Sequence, residues 1–187
     1  MKKEANKYSV ILASCFFCVC VSAMAQEKSE KERFQMGLEL GAGRVERSTP
    51  GFKLSETDFF MGFKGAYRVN RYFLMGLELS GWLQQSSDLY DPSVGEGISQ
   101  IFLFAQLYPG VDSGFFIKAG GGYVSHWDNG PESTGSKSGT GLVIGAGYDF
   151  RMDSSWVITP LATYSSGNID NEKYNATTLS VGFSYEF

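Results

Sequence analysis

Residues 34 to 43, FQMGLELGAG, alternate strictly. Phe34, Met36, Leu38, Leu40 and Ala42 fall on one side, and Gln35, Gly37, Glu39, Gly41 and Gly43 on the other. A two-residue period with one apolar side is the mark of a β-strand that buries or greases one face. The period returns in FLMGLELSGWL (73–83) and in GLVIGAGYDF (141–150), where Leu142, Ile144, Ala146, Tyr148 and Phe150 oppose Gly141, Val143, Gly145, Gly147 and Asp149. It runs unbroken through ATTLSVGFSYEF (176–187), with Leu179, Val181, Phe183, Tyr185 and Phe187 against Ser180, Gly182, Ser184 and Glu186. Less regular strands are DFFMGFKGAYR (58–68), SQIFLFAQLY (99–108), FFIKAGGGYVSHW (115–127) and WVITPLATY (156–164). In 99–108 the polar Ser99, Gln100 and Gln106 do not choose one face, so its facing stays open. Pro160 has no ladder donor, which predicts a bulge or a missing bond within 156–164.

Eight strands and no convincing helical period after residue 33 predict an all-β chain. Long connections at 44–56, 84–97, 129–138 and 165–175 alternate with short ones at 69–71, 109–114 and 152–155. All long loops would then gather at one end and all tight turns at the other. That is an eight-stranded antiparallel up-and-down β-barrel.

Alternation leaves the surrounding medium open, because a lipocalin-like barrel in water also alternates, with its apolar face inward. Composition separates the two. Glycine contributes 23 of the 187 residues, well above a usual share of about 7%, and the polar strand face is otherwise mostly serine and threonine. Before their last residues, the predicted strands carry only Glu39, Asp58, Lys64, Glu78, Lys118, Asp149 and Glu186 as charges. A sheet facing water would carry more Lys, Glu and Thr and much less Gly. Small polar residues toward a narrow lumen, with bulky apolar groups toward lipid, fit both facts. Aromatic residues near the predicted strand ends (Phe34, Tyr67, Tyr72, Phe73, Tyr108, Trp127, Tyr148, Phe150, Trp156, Tyr164, Tyr185 and Phe187) fit interfacial girdles. Strands of this length suit a tilted crossing of the hydrocarbon layer, and closure satisfies every backbone hydrogen bond there.

The start of the chain fits the same compartment. Lys2, Lys3 and Lys7 precede the apolar run YSVILASCFFCVCVSA, and Ala23 and Ala25 frame a small-x-small cleavage site before Gln26. This predicts a cleaved secretory signal peptide over 1–25, a short polar segment over 26–33 and a barrel domain over 34–187. The alternative of a lipoprotein box at Leu12 to Cys15 puts its cysteine inside the apolar run. Cys15, Cys18 and Cys20 all lie in the leader, so the mature chain is expected to hold no disulfide, thiol nucleophile or cysteine metal site. Removing the leader leaves 13 basic and 19 acidic residues, a balance that argues against nucleic acid as a partner. No metal-ligand cluster or phosphate loop is evident, and no cofactor is expected.

YRVNRYFLMGLELSGW, FFIKAGGGYVSHW, SGTGLVIGAGYDFRMDSSW and the closing FSYEF resemble the small eight-stranded outer-membrane β-barrel proteins, similar to OmpX and to the OmpA transmembrane domain, over about residues 34 to 187. The resemblance implies an outer-membrane address, contact with membrane lipid and lipopolysaccharide, and a monomer. It also implies that Phe183, Tyr185 and Phe187 form the signal read by the barrel-assembly machinery. The peptidoglycan-binding domain of some relatives is not expected after residue 187.

Fold does not settle activity, so candidate sites are weighed separately. Glu39, Lys64 and Glu78 fall mid-strand on the face assigned inward. They are expected to form a network, with Lys118 paired toward Asp149 or Glu186, because an unpaired charge in a narrow lumen is costly. Such a network would act as a plug, or else as an ion pathway. His126, the single histidine, ends the fifth predicted strand at the rim facing the long loops. Lipid A deacylases of this architecture use a His, a Ser and a Glu there, and Ser125 and Glu132 are near in sequence. Asp128, however, stands where the serine is expected, and neighbouring strand residues face opposite sides. An exposed rim histidine is the plainer expectation. The loop acids Asp88, Asp91, Glu96, Asp128, Glu132, Asp170 and Glu172 could bind cations or a surface partner, or merely be solvated. The expected function is therefore a structural, envelope-integrity or surface-contact role, with a narrow channel and a lipid A-modifying enzyme as alternatives.

Overall fold

A computed structural model describes residues 33–49, 52–85, 95–110, 113–128, 136–152, 155–170 and 172–187. Ala23, Ala25 and Gln26, and the loop acids Asp88, Asp91 and Glu132, lie outside the described residues.

The chain folds into antiparallel strands β1 (Arg33–Thr49), β2 (Phe52–Asn70), β3 (Phe73–Gln85), β4 (Gly95–Leu107), β5 (Phe115–Asp128), β6 (Lys137–Tyr148), β7 (Trp156–Ile169) and β8 (Glu172–Glu186). β6 resumes after Asp149 as a two-residue stretch, Phe150–Arg151. Each strand pairs with its sequence neighbours, and β8 closes on β1, making an eight-stranded antiparallel barrel.

The ladder registers give the barrel's stagger. From Gly37 the paired residues run through Lys64, Glu78, Phe102, Gly122, Gly141, Gly167 and Tyr174, and return to β1 at Arg47, ten residues above the start. Eight strands with a shear of ten tilt by about 40° and enclose a backbone cylinder of about 8 Å radius. A cylinder that narrow is filled by side chains.

Facing follows the predicted alternation. Phe34, Met36, Leu38 and Leu40 point outward, as do Leu142, Ile144, Leu179, Val181 and Phe183, while Gln35, Glu39, Ser180, Ser184 and Glu186 are buried inside. On β4, whose facing was open, Gln100, Phe102, Phe104 and Gln106 point inward and Ile101, Leu103 and Leu107 outward. Tyr108 does not join the outer aromatic girdle, since it is 1% exposed inside the barrel.

Two expected long loops are strand. Residues 44–49 and 52–56 pair through to Thr49↔Phe52, and 165–169 with 172–175 pair through to Ile169↔Glu172. Here the outward positions are polar (Arg44, Glu46, Asn168, Lys173) while Val45, Ile169 and Tyr174 still point into the core, so the outer apolar signal stops although the ladder continues. Asp170, in the second hairpin's two-residue connection, sits at φ 55°, a left-handed conformation that aspartate tolerates better than most residues.

The break in β6 has a chemical cause. Gly147 pairs with Leu161 and Phe150 with Ile158 in one continuous register, so Tyr148 lies opposite Pro160. Proline has no N–H to donate, and the ladder loses a bond there without a bulge. On its other side Pro160 stays in register with Val181.

The seam between β8 and β1 is closed at its lower end by two hydrogen bonds of 2.9 Å between the backbones of Phe34 and Phe187. Outside it, Tyr67, Phe34, Phe187, Tyr185 and Trp156 form a continuous chain of ring contacts with centroids 5.2 to 6.3 Å apart. Such a belt suits a membrane interface.

Candidate functional site

The lumen is layered, and the order can be followed along single strands. Ala66, Lys64 and Phe60 succeed one another up β2, Leu74, Glu78 and Trp82 up β3, and Phe116, Lys118 and Val124 up β5, all pointing inward. On each strand a charge separates two apolar levels.

The lower apolar level is Ala66, Leu74, Phe104, Tyr108, Phe116 and Leu161. The upper level is larger and includes Phe60, Trp82, Phe102, Val124, Ile169 and Tyr174. Its polar tips are satisfied, with Trp82 Nε1 donating to Thr178 Oγ1 at 3.3 Å and the Tyr174 hydroxyl to Gln100 Oε1 at 3.2 Å. These rings correct the expectation of a lumen lined by small polar groups. The outward faces of the same strands already supply the apolar signal, so inward aromatic residues at 60, 82, 102 and 104 do not stand out in sequence.

Between the apolar levels, Lys118 forms a buried ion pair with Glu78, which also accepts from the Ser80 hydroxyl at 3.3 Å. Lys118 therefore does not pair with Asp149 or Glu186 as expected. Asp149 is on the neighbouring strand but opposite Gly114, four positions below Lys118, and Glu186 is held by Arg68, whereas Glu78 on β3 reaches Lys118 across the curved wall. Lys64 is directly opposite Glu78 in the ladder, and among the described residues it makes no ion pair within 4.0 Å. Glu39 accepts from the Ser180 hydroxyl. Asp149 accepts from the Tyr108 and Thr159 hydroxyls, both at 2.7 Å. Glu186 belongs to a separate lower cluster, 3.0 Å from Arg68 Nη2 and 4.0 Å from Arg151 Nε, with Arg68 also lying over the Tyr108 ring at 4.9 Å. Sequence reasoning missed both arginines because they fall at or just past the predicted strand ends. Their parity with Lys64 and Asp149 carries the signal.

At the upper rim Arg47 Nη1 donates to His126 Nε2 at 2.9 Å. An arginine can only donate, so this nitrogen accepts and the ring proton sits on Nδ1. His126 is half-buried and has the inward parity of Val124, not the exposed position expected of it, while Ser125 has the outward parity. Glu132 lies outside the described residues. Lys137 meets Glu172 at 3.0 Å, and the hydrogen bond and charge of Glu172 raise the Lys137 pKa. Among the described residues no group of three or more His, Cys, Asp or Glu side chains is placed to hold a metal ion.

A closed barrel with an apolar exterior, two aromatic-rich inner levels and a buried charge layer between them defines a transmembrane-type β-barrel. The chain belongs to the outer membrane protein beta-barrel domain family, which it matches over residues 12–187. No curated protein sequence matches it. Among solved structures it is similar to Neisserial surface protein A, at 16% identity with 86% of this chain and 100% of that one covered, TM-score 0.62. It is also similar to Ail, the attachment invasion locus protein of Yersinia pestis, at 17% identity with 81% and 98% covered, TM-score 0.51. A second Ail structure, in complex with the heparin analogue sucrose octasulfate, matches at 18% identity with 81% and 99% covered, TM-score 0.50. At such identities the likeness is one of fold.

Proposed function

We propose that the chain is exported on a cleaved leader over residues 1–25 and inserted in the bacterial outer membrane as a non-enzymatic barrel. There it contributes to envelope integrity or to surface contacts through its protruding hairpins and loops. Assembly would be guided by Phe183, Tyr185 and Phe187, and membrane lipid and lipopolysaccharide would surround a monomer. The observation that carries this reading is the filled lumen: two ring-rich levels with the Glu78–Lys118 pair between them leave the wall and the outer rim as the working surfaces.

The same filling weighs against the channel alternative, because moving an ion through would require displacing Trp82, Phe102 and Phe104 together. Planar-bilayer recording from the folded protein tests this. No single openings are expected, and openings that vanish when Lys64 or Glu78 is neutralised would reverse the reading. The enzyme alternative has less support, since His126 Nε2 is engaged by Arg47 and Ser125 lies on the other face. Lipid A composition should be the same in cells with the protein, without it, and with His126→Ala.

A further inference from the structure

On the outer wall of β5 to β8, three ladder rows lie one above another. The upper outward row runs Tyr123, Thr140, Asn168, Lys173, each paired with the next. The lower outward row runs Gly121, Leu142, Ser166. Between them the inward row is Gly122, Gly141, Gly167, ending on Tyr174. A Cβ on Gly141 would lie 2.5 Å from the Tyr174 hydroxyl oxygen, and one on Gly167 2.5 Å from Tyr174 Cε1. The wall therefore rests directly on one tyrosine ring, and its outer surface carries a groove of about 890 Å³.

The groove is amphipathic, and it sits where the apolar band ends. Its lower edge is Leu142, 69% exposed, with Ile144 below it, and above it come the outward Ser125 and Ser138. Its upper edge offers the Lys173 ammonium, the Asn168 amide and the Thr140 hydroxyl, with the Ser166 hydroxyl beside Leu142. Among the described residues no carboxylate lines it, in a chain with 20 acidic residues. An occupant must therefore carry negative charge at one end and hydrocarbon at the other, and must reach the wall from within the membrane.

We propose that this groove docks a lipid of the surrounding leaflet whose phosphate headgroup carries net negative charge. The headgroup phosphate meets Lys173, Thr140 and Asn168, and an acyl chain runs along Leu142 over Gly121. The proposal rests on the chain's spanning an outer membrane. Lys173 is the positioning charge. Gly121 keeps the floor open, since a Cβ there would stand 2.9 Å from Leu142 Cδ2.

The test uses the full mature chain folded in phosphatidylcholine vesicles containing a minor fraction of bisphosphorylated lipid A, or of its dephosphorylated form. The barrel is extracted, and bound lipid is read by native mass spectrometry. The phosphorylated form should be retained. Lys173→Gln should lower that retention about tenfold, the loss of one charge-assisted hydrogen bond. Gly121→Leu should lower it with the lysine intact, and Arg44→Gln, on β1, should leave it unchanged. Equal retention of the two lipid A forms, or no effect of Lys173→Gln, would overturn the proposal, as would a second copy of the chain in place of lipid. The heat-dependent shift in gel mobility, measured on every variant, reports barrel folding separately. A chain that shifts yet binds no lipid refutes the groove alone, and a chain that never shifts refutes the membrane barrel with it.

Discussion

Substituting Glu78 by glutamine removes a charge from the middle of the lumen while keeping the side chain's size and its acceptor for Ser80. The ion pair it breaks is buried, with side chains 1% exposed for Lys118 and 4% for Glu78. Removing one partner from such a pair costs about 3–5 kcal/mol, because the remaining charge stays desolvated. Lys118 keeps one compensation, the face of Phe104 at 5.1 Å, worth roughly 1 kcal/mol. The expected loss is therefore about 3 kcal/mol, toward the lower end of that range. Lys118→Met should cost less, because Lys64 stands directly opposite Glu78 in the ladder and can turn toward the orphaned carboxylate. The double variant Glu78→Gln with Lys118→Met should recover most of the loss. Stability would be read in lipid vesicles by denaturant titration of tryptophan fluorescence. A Glu78→Gln barrel within about 1 kcal/mol of the parent would refute the account of the lumen layer. So would a double variant no more stable than the worse single one.

Three further outcomes follow from particular contacts. Trp82→Ala, which empties the centre of the upper level and frees Thr178, should destabilise by about 3–5 kcal/mol in the same titration. Gly167→Val should block folding and abolish the heat-dependent gel shift, because its Cβ would stand 2.5 Å from the Tyr174 ring and 2.6 Å from the Thr140 carbonyl oxygen. Pro160→Val should restore the ladder bond to Tyr148 and add roughly 1 kcal/mol, with a slowly exchanging amide at position 160 as its signature.

Much of this barrel is written in its two-residue period, and the exceptions share a cause. Strand facing was readable wherever one side was apolar and the other small or polar, as in 34–43, 141–150 and 176–187. It was unreadable in β4, where Phe102 and Phe104 point in and Ile101 and Leu103 point out, so both faces are apolar. Strand length was unreadable above the membrane, since residues 44–49 and 172–175 remain in the ladder after the lipid-facing constraint has ended. The inward position of Glu39, Lys64, Glu78, Lys118, Asp149 and Glu186 follows from parity alone. Their partners depend on the barrel's curvature and stagger, which bring β3 to β5 and Ser180 to Glu39. The missing bond at Pro160 was foreseeable from its chemistry, while the amphipathic groove required the alignment of glycines from three strands.

The central claim is that the exposed apolar face of the strands meets lipid while the opposite face fills the lumen. The mature chain's expected lack of cysteine allows single cysteines to be placed along β8 from Leu179 to Glu186, spin-labelled, and examined in lipid vesicles for collision with oxygen and with a water-soluble paramagnetic reagent. Oxygen access should peak at 179, 181, 183 and 185 and fall at 180, 182, 184 and 186. High access of the water-soluble reagent at 179, 181 and 183, or no two-residue alternation, would contradict it.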